Sequence, residues 1–369
     1  MKAEISVLNS NLERYGLISD YQSFSFIRHY NDIGEFTLVL SADCHEAHLL
    51  HIGSFILVNN DSQKFGFIHN RYLTEDEEGN ETFTYKGKTL GAIFEFRTML
   101  LNENEVHEKV VGNIESILHT YVFNHLINPF DPNRRIPNLV QTKNQNRGEN
   151  IIWISNTEYL IDTIKSISDI YNFGWEITAD VDNNQWIFNV YKGLDLSINQ
   201  DENPQVVFSK DLGNIKTMAF AEDSSDLRNF AYVLSDDDES NHVRSVSKGD
   251  VTGFNRKEIL FNISKYDDDE EYVDVVQLAS QQLEEYYTVQ NIEAEVIEDC
   301  GIFKLGRDYN LGDIVTVENK KWKVTEDLVI MTIEEAYSNV GKQTFISFGK
   351  RIPSLIAKIK RDTKVREIK

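Results

Sequence analysis

Apolar and polar residues alternate along much of this chain, which is the spacing of half-buried β-strands. In residues 35–40, Phe36, Leu38 and Leu40 share one face, and Glu35, Thr37 and Val39 share the other. Comparable runs at residues 4–8, 21–30, 52–58, 64–73 and 82–86 predict strands, with turns at 19–20, 31–34 and 75–78. Asp43 is placed to cap a short helix reaching residue 50. Helical spacing covers residues 89–99 and 106–126, the latter through Val110, Ile114, Ile117, Leu118 and Tyr121. Residues 128–150 hold Pro129, Pro132 and Pro137 and read as loop. A helix opened by Asn156 or Thr157 carries Leu160, Ile164 and Ile167 in one stripe. A hairpin is expected over 174–178 and 185–190. Beyond it, strands are expected at 206–209, 216–220, 229–234, 257–263, 292–297, 314–318, 322–333 and 343–348, with a helix at 272–288. The basic stretch 350–369 has an apolar stripe (Ile352, Leu355, Ile356, Ile359) and reads as an amphipathic helix.

One pattern occurs twice. Leu311-Gly312-Asp313 opens an apolar run, and a second strand follows past Trp322. Ile52-Gly53-Ser54 opens another apolar run, and Phe65, Phe67 and Ile68 follow. Apolar residue, glycine, small polar residue and apolar run fall at the same offsets. The repetition predicts one small β-unit used twice.

Composition narrows the function. The 369 residues suggest two or three domains, and 41% hydrophobic content suffices for real cores. The 21 Phe and 16 Tyr suit β-rich architecture, and only 5 Pro argue against long disordered linkers. Sixty acidic residues against 37 basic ones give a net charge of −23, which opposes tight binding to nucleic-acid phosphates. Glu4 interrupts any leader-like apolar start, and no apolar run approaches the roughly 20 residues of a membrane helix. These features predict a cytoplasmically folded chain with no membrane span. Cys44 and Cys300 are read as two unpaired thiols.

The search for chemistry returns little. His45 and His48 are three residues apart rather than the four that would align two zinc ligands on a helix, and His51 adds only a weak third imidazole. Asp180-x-Asp182-x-Asn184 begins like a calcium loop, but Gln185 replaces the required Gly and Tyr191 the bidentate Glu. The acidic runs 236–239 and 267–271 read as solvated loops. Ser245-Val246-Ser247-Lys248 fits Ser-x-x-Lys, a pattern too short to carry an assignment. No catalytic, cofactor or metal residue is predicted, and the expectation is a non-enzyme.

Four segments then resemble the siphovirus Gp37-like tail proteins, relatives of phage baseplate hub and tail-associated proteins. They are residues 28–38, with Gly34, Glu35 and Phe36; residues 65–68, with Gly66; residues 86–97, with Gly87, Leu90 and Arg97; and residues 310–315, with Leu311, Gly312 and Asp313. With Gly53, the residues Gly34, Phe36, Gly66, Gly87, Arg97, Gly312 and Asp313 form the expected structural motif. The resulting fold class is α+β and β-rich. A first β-barrel-like domain spans 1–100, an inserted peripheral α+β domain 101–205, a second β-barrel-like domain with one helix 206–349, and a C-terminal helix 350–369. The resemblance implies a structural hub at the tail tip of a long-tailed phage or prophage, made in the host cytoplasm. It implies a homotrimeric ring that closes the tail tube and opens for tape-measure protein and DNA. Its implied partners are further copies of itself, a distal tail protein, the tape-measure protein and receptor-binding or other baseplate proteins. The alternative is a tail-associated peptidoglycan hydrolase or endopeptidase. Because the chain stops at Lys369, an attached lytic extension is expected to be absent.

Overall fold

The computed structural model describes residues 2–100, 107–155, 158–235, 243–263, 275–297 and 301–349. The first β-unit contains β1 (Ile5–Leu8), β2 (Arg14–Ile18), β3 (Ser23–His29), β4 (Glu35–Ser41), β5 (Phe55–Val58), β6 (Phe65–Glu75) and β7 (Glu81–Thr89). The alternation read from the sequence is realised here: Phe36, Leu38 and Leu40 are buried with Phe24, Phe26 and Tyr85 in one cluster. The helix expected to be capped by Asp43 is a 3-10 stretch, His45–Leu49. Its N-cap is Cys44, with no side-chain cap. The helix expected at 89–99 is likewise a 3-10 stretch, Leu90–Phe96.

The next segment contains β8 (Glu108–Asn113), α1 (Ile114–Val122), β9 (Leu139–Gln141), β10 (Asn150–Ser155), α2 (Leu160–Tyr171), β11 (Gly174–Asp180) and β12 (Gln185–Tyr191). The single helix expected over 106–126 is therefore part strand. Val110 pairs with Trp153 between β8 and β10. The reason is local: β-branched Val110 and Val111 favour extended chain, and Asn113 caps α1 by accepting the Ser116 amide. The expected caps Asn156 and Thr157 lie outside the described residues, and Tyr159 occupies the N-cap of α2. The hairpin β11–β12 forms as expected and adds β9 in parallel. Trp175, Phe188, Tyr121 and Ile164 of this segment share one core with Leu57, Phe65 and Phe94 of the first unit.

The second β-unit contains β13 (Val207–Ser209) and β14 (Ile215–Asp223). The chain then forms β15 (Phe230–Ser235), β16 (Val243–Ser247), β17 (Glu258–Ile263) and α3 (Val275–Glu284), and resumes with β18 (Val289–Val296), β19 (Ile314–Asn319), β20 (Val324–Ser338) and β21 (Gly341–Gly349). Residues 220–291 cluster as a compact unit of their own, a sheet ordered β16-β15-β17 with α3 beside it. The predicted helix at 350–369 lies outside the described residues.

The two β-units are not two separate barrels. Their strands run into one 13-stranded sheet ordered β14-β18-β21-β20-β3-β4-β7-β6-β5-β1-β2, with β19 beside β20 and β13 beside β19. Among the described residues no sheet closes on itself. The cause is β20. Its first part pairs with β19 and its last part with β3, so the edge that could close the second unit is spent on the first.

Candidate functional site: a repeated turn and the edges it leaves

The stretches around Gly53 and Gly312 are two copies of one structure. Gly53 has φ +89° and Gly312 φ +92°, the region open to glycine. Each is the third residue of a turn: the Ser54 amide donates to the His51 carbonyl at 3.0 Å, and the Asp313 amide to the Asn310 carbonyl at 3.2 Å. A positive φ at that position defines a type II turn. The glycine amides donate to Ile68 and Ile330, both at 2.8 Å, and those isoleucines donate back to the Ser54 and Asp313 carbonyls. The side chains repeat as well. Ser54 Oγ accepts the His51 amide at 3.1 Å, and Asp313 Oδ2 accepts the Asn310 amide at 2.7 Å. The polar residue after the glycine is thus an internal cap for its own turn.

The likeness extends through five strands. In chain order β3, β4, β5, β6 and β7 correspond to β14, β18, β19, β20 and β21. In the sheet they lie as β3-β4-β7-β6-β5 and as β14-β18-β21-β20-β19. The register of β6 on β7 slips between Ile68 and Asn70, and that of β20 on β21 slips between Ile330 and Thr332. The same irregularity therefore follows the same isoleucine in both. Two features differ. The link between β3 and β4 is the tight stretch 30–34, whereas residues 224–288 separate β14 from β18. Alongside them, β1 pairs with β5 antiparallel and β13 with β19 parallel.

Tyr30 holds the seam between the units. Its amide donates to Met331 at 3.0 Å and its carbonyl accepts the Trp175 amide at 3.0 Å. Its hydroxyl donates to the Asn172 carbonyl at 3.1 Å. The ring fills the space a Cβ would need at both Gly312 and Gly174. Burial pushes its hydroxyl up to about 12. Glu335 of β20 is the second tie. It meets Lys64, from the turn between β5 and β6, at 2.5 Å, and Lys342 at 2.7 Å. Its burial favours the neutral acid, but the two ammonium groups outweigh it and hold Glu335 at about 2. No local pattern couples positions 30 and 312 or 64 and 335, so the sequence marks neither Tyr30 nor Glu335 as more than a strand residue.

The motif residues fall into two groups. Phe36 lies directly opposite Gly87 and covers both Gly87 and Gly66, where a Cβ would sit 1.9 and 2.9 Å from its ring. Its other face stacks on Phe26, centroids 5.9 Å apart. Gly34 leaves room for the Ile27 carbonyl, and its amide donates to Thr89 Oγ1 at 2.9 Å. Gly53, Gly312 and Asp313 form the two turns, and Asp313 Oδ1 also accepts the Leu194 amide at 2.8 Å. Burial raises the Asp313 carboxyl above its ordinary range, and the two amides oppose that. Arg97 joins neither group. It donates to the Phe96 carbonyl, and its own carbonyl accepts the Leu160 amide.

The positions weighed for chemistry have ordinary structural surroundings. His48 packs edge-on against Phe83. Cys44 Sγ lies 3.0 Å from the Glu46 carboxylate, with its thiol raised by burial. Asp180 accepts from the Asn183 amide at 3.1 Å within the hairpin turn. Lys248 of the Ser-x-x-Lys stretch is held by Glu284 and the Tyr286 carbonyl. Among the described residues, no group of three or more His, Cys, Asp or Glu assembles as a metal site. No helix among them is long and apolar enough to cross a membrane.

This fold is shared with solved phage tail proteins. The chain is similar to the tail protein from Neisseria meningitidis, with 13% identity, a TM-score of 0.57, and 95% of this chain and 97% of that one covered. It is similar to the 43 kDa tail protein of prophage MuSo2 from Shewanella oneidensis, with 11% identity, a TM-score of 0.59, and coverage of 94% and 98%. It is also similar to the prophage tail protein gp18 from Listeria monocytogenes, with 14% identity, a TM-score of 0.51, and coverage of 100% of both chains. No curated protein matches it in sequence. The family described as siphovirus ReqiPepy6 Gp37-like protein matches residues 4–350, and the chain belongs to that family.

Proposed function

We propose that this protein is a structural hub of the tail tip, with three copies forming a ring of six similar β-units at the end of the tail tube. The observation that carries the reading is the repeat itself: matching turns, strand order and register slip. Two units per chain and three chains give six equivalent positions, the symmetry needed to mate a threefold tip with a sixfold tube. The wall of such a ring is barrel-like only in the assembly, which fits an open sheet in the single chain. Its action is conformational: the ring opens to pass tape-measure protein and DNA. The distal tail protein and receptor-binding or other baseplate proteins are its neighbours in the virion. A net charge of −23 suits a passage in which DNA slides without sticking. Light scattering on the purified chain tests the reading. A mass three times the 42.7 kDa of one chain is expected. A single-chain mass at every concentration overturns it.

A further inference from the structure

A cleft runs along one face of α1, in the segment between the two β-units. Ser116, Thr120, Phe123 and Ile127 line it, and their spacing is that of a stripe on one side of a helix. The helix does not stop at Val122. It continues as a π-helical turn, Phe123–Ile127, closed by the Asn128 amide donating to the Phe123 carbonyl at 2.8 Å. Such turns are rare and recur at functional sites. Phe123 is 43% exposed there. The opposite wall is β9 with the chain after it, as far as Asn144. That wall is fastened to α1. Gln141 Nε2 donates to the His119 carbonyl at 2.7 Å, and Asn144 Nδ2 to Ser116 Oγ at 2.8 Å. Just beyond, the buried Glu115 carboxylate accepts the Gln145 amide at 3.1 Å and the Arg147 amide at 2.9 Å. The cleft is therefore pre-formed. Its volume of about 670 Å³ is that of a small-molecule site.

The lining has a definite chemistry. Arg135 is its only charged side chain, and no carboxylate lines the cleft among the described residues. In a chain of net charge −23 this is a local reversal of sign. The Arg135 guanidinium is exposed and makes no hydrogen bond or ion pair among the described residues. Thr120 Oγ1 donates its proton to the Ser116 carbonyl at 2.8 Å and is left as an acceptor. His119 also lines the cleft. Its Nε2 is buried with no partner, and burial lowers its pKa, so the ring is neutral.

We propose that this cleft binds a sugar ring carrying one anionic group, a carboxylate or a phosphate. Arg135 meets the anion, to which a guanidinium fork is matched. Phe123 and Ile127 take the apolar face of the ring. Thr120, Gln141 and the neutral His119 imidazole, which can donate or accept, take its hydroxyls. A bare anion uses Arg135 and leaves the apolar stripe idle. A purely apolar ligand leaves the polar groups unpaired, at a cost. Every residue involved lies in one chain, so the site does not depend on the ring reading.

Calorimetric titration of the full-length chain tests this with glucuronic acid, glucose 6-phosphate, glucose and inorganic phosphate. Both anionic sugars are expected to bind, with glucose and inorganic phosphate each weaker by about tenfold or more. Whichever anionic sugar binds more tightly identifies the carboxylate or the phosphate as the natural group. Arg135→Ala removes no contact within the described chain and is expected to abolish the preference over glucose. Phe123→Ala is expected to weaken both anionic sugars and to leave inorganic phosphate unchanged. No saturable binding of either anionic sugar overturns the proposal. So does glucose binding as tightly, inorganic phosphate binding as tightly (an anion site only), or anionic-sugar binding that Arg135→Ala leaves intact.

Discussion

At the scale of single residues, the two turn glycines separate backbone strain from packing. Gly53 and Gly312 have almost the same φ, but a Cβ at Gly53 meets nothing within 4 Å and one at Gly312 lies 2.3 Å from the Tyr30 ring. Gly53→Ala is therefore expected to cost about 1 kcal/mol, the cost of the left-handed backbone alone. Gly312→Ala is expected to cost about 3 kcal/mol or more, because Tyr30 is pinned by three hydrogen bonds and cannot give way. Urea unfolding of the two variants checks this, and equal losses would contradict it. Glu335 gives a pH signature. Its folded value of about 2 lies below the ordinary 4.5. Its contribution is thus complete above the unfolded value and is lost as pH falls from about 4.5 to about 2. Glu335→Gln leaves Lys64 and Lys342 facing a neutral group and should cost about 3 kcal/mol at pH 7. The loss should fade in the same acid window. A variant with an unchanged acid profile would refute the assignment.

At the scale of elements, the Phe36 platform shows why glycines sit inside strands at all. Gly66 and Gly87 lie on adjacent strands and make the flat surface on which the Phe36 ring rests. Gly87→Ala should destabilise by about 2 kcal/mol, and Phe36→Leu in the same chain should recover part of that. Additive losses in the double variant would show that the two sites do not touch. Element type was legible wherever the period was clean, as in β4, β12 and α2. It failed where a local signal overrode the period. The stretch 106–126 has helically spaced apolar residues at both ends, yet Val110 and Val111 go into a strand and Asn113 starts the helix. The Gly-strand repeat was also legible, because a type II turn demands glycine at one position and a polar cap beside it. The wider repeat was not. The residues between β14 and β18 hide the second copy of the β3–β4 pair, and Tyr30 and Glu335 act through partners about 280 residues away in one case and about 270 in the other, a relation only the fold supplies.

At the scale of the whole molecule, the two β-units share one open sheet. β20 and β3 join the two β-units, the half of β6 beyond Ile68 has a described strand on its β7 side alone, and β14 ends the sheet. In the proposed ring the wall is completed only when three chains come together, which accords with an open sheet in the single chain. The most direct test is electron microscopy of the purified full-length chain at high concentration, with class averages computed without imposed symmetry. The account predicts threefold rings with six similar lobes around a central hole. Single asymmetric particles, or twofold dimers without a hole, would contradict it.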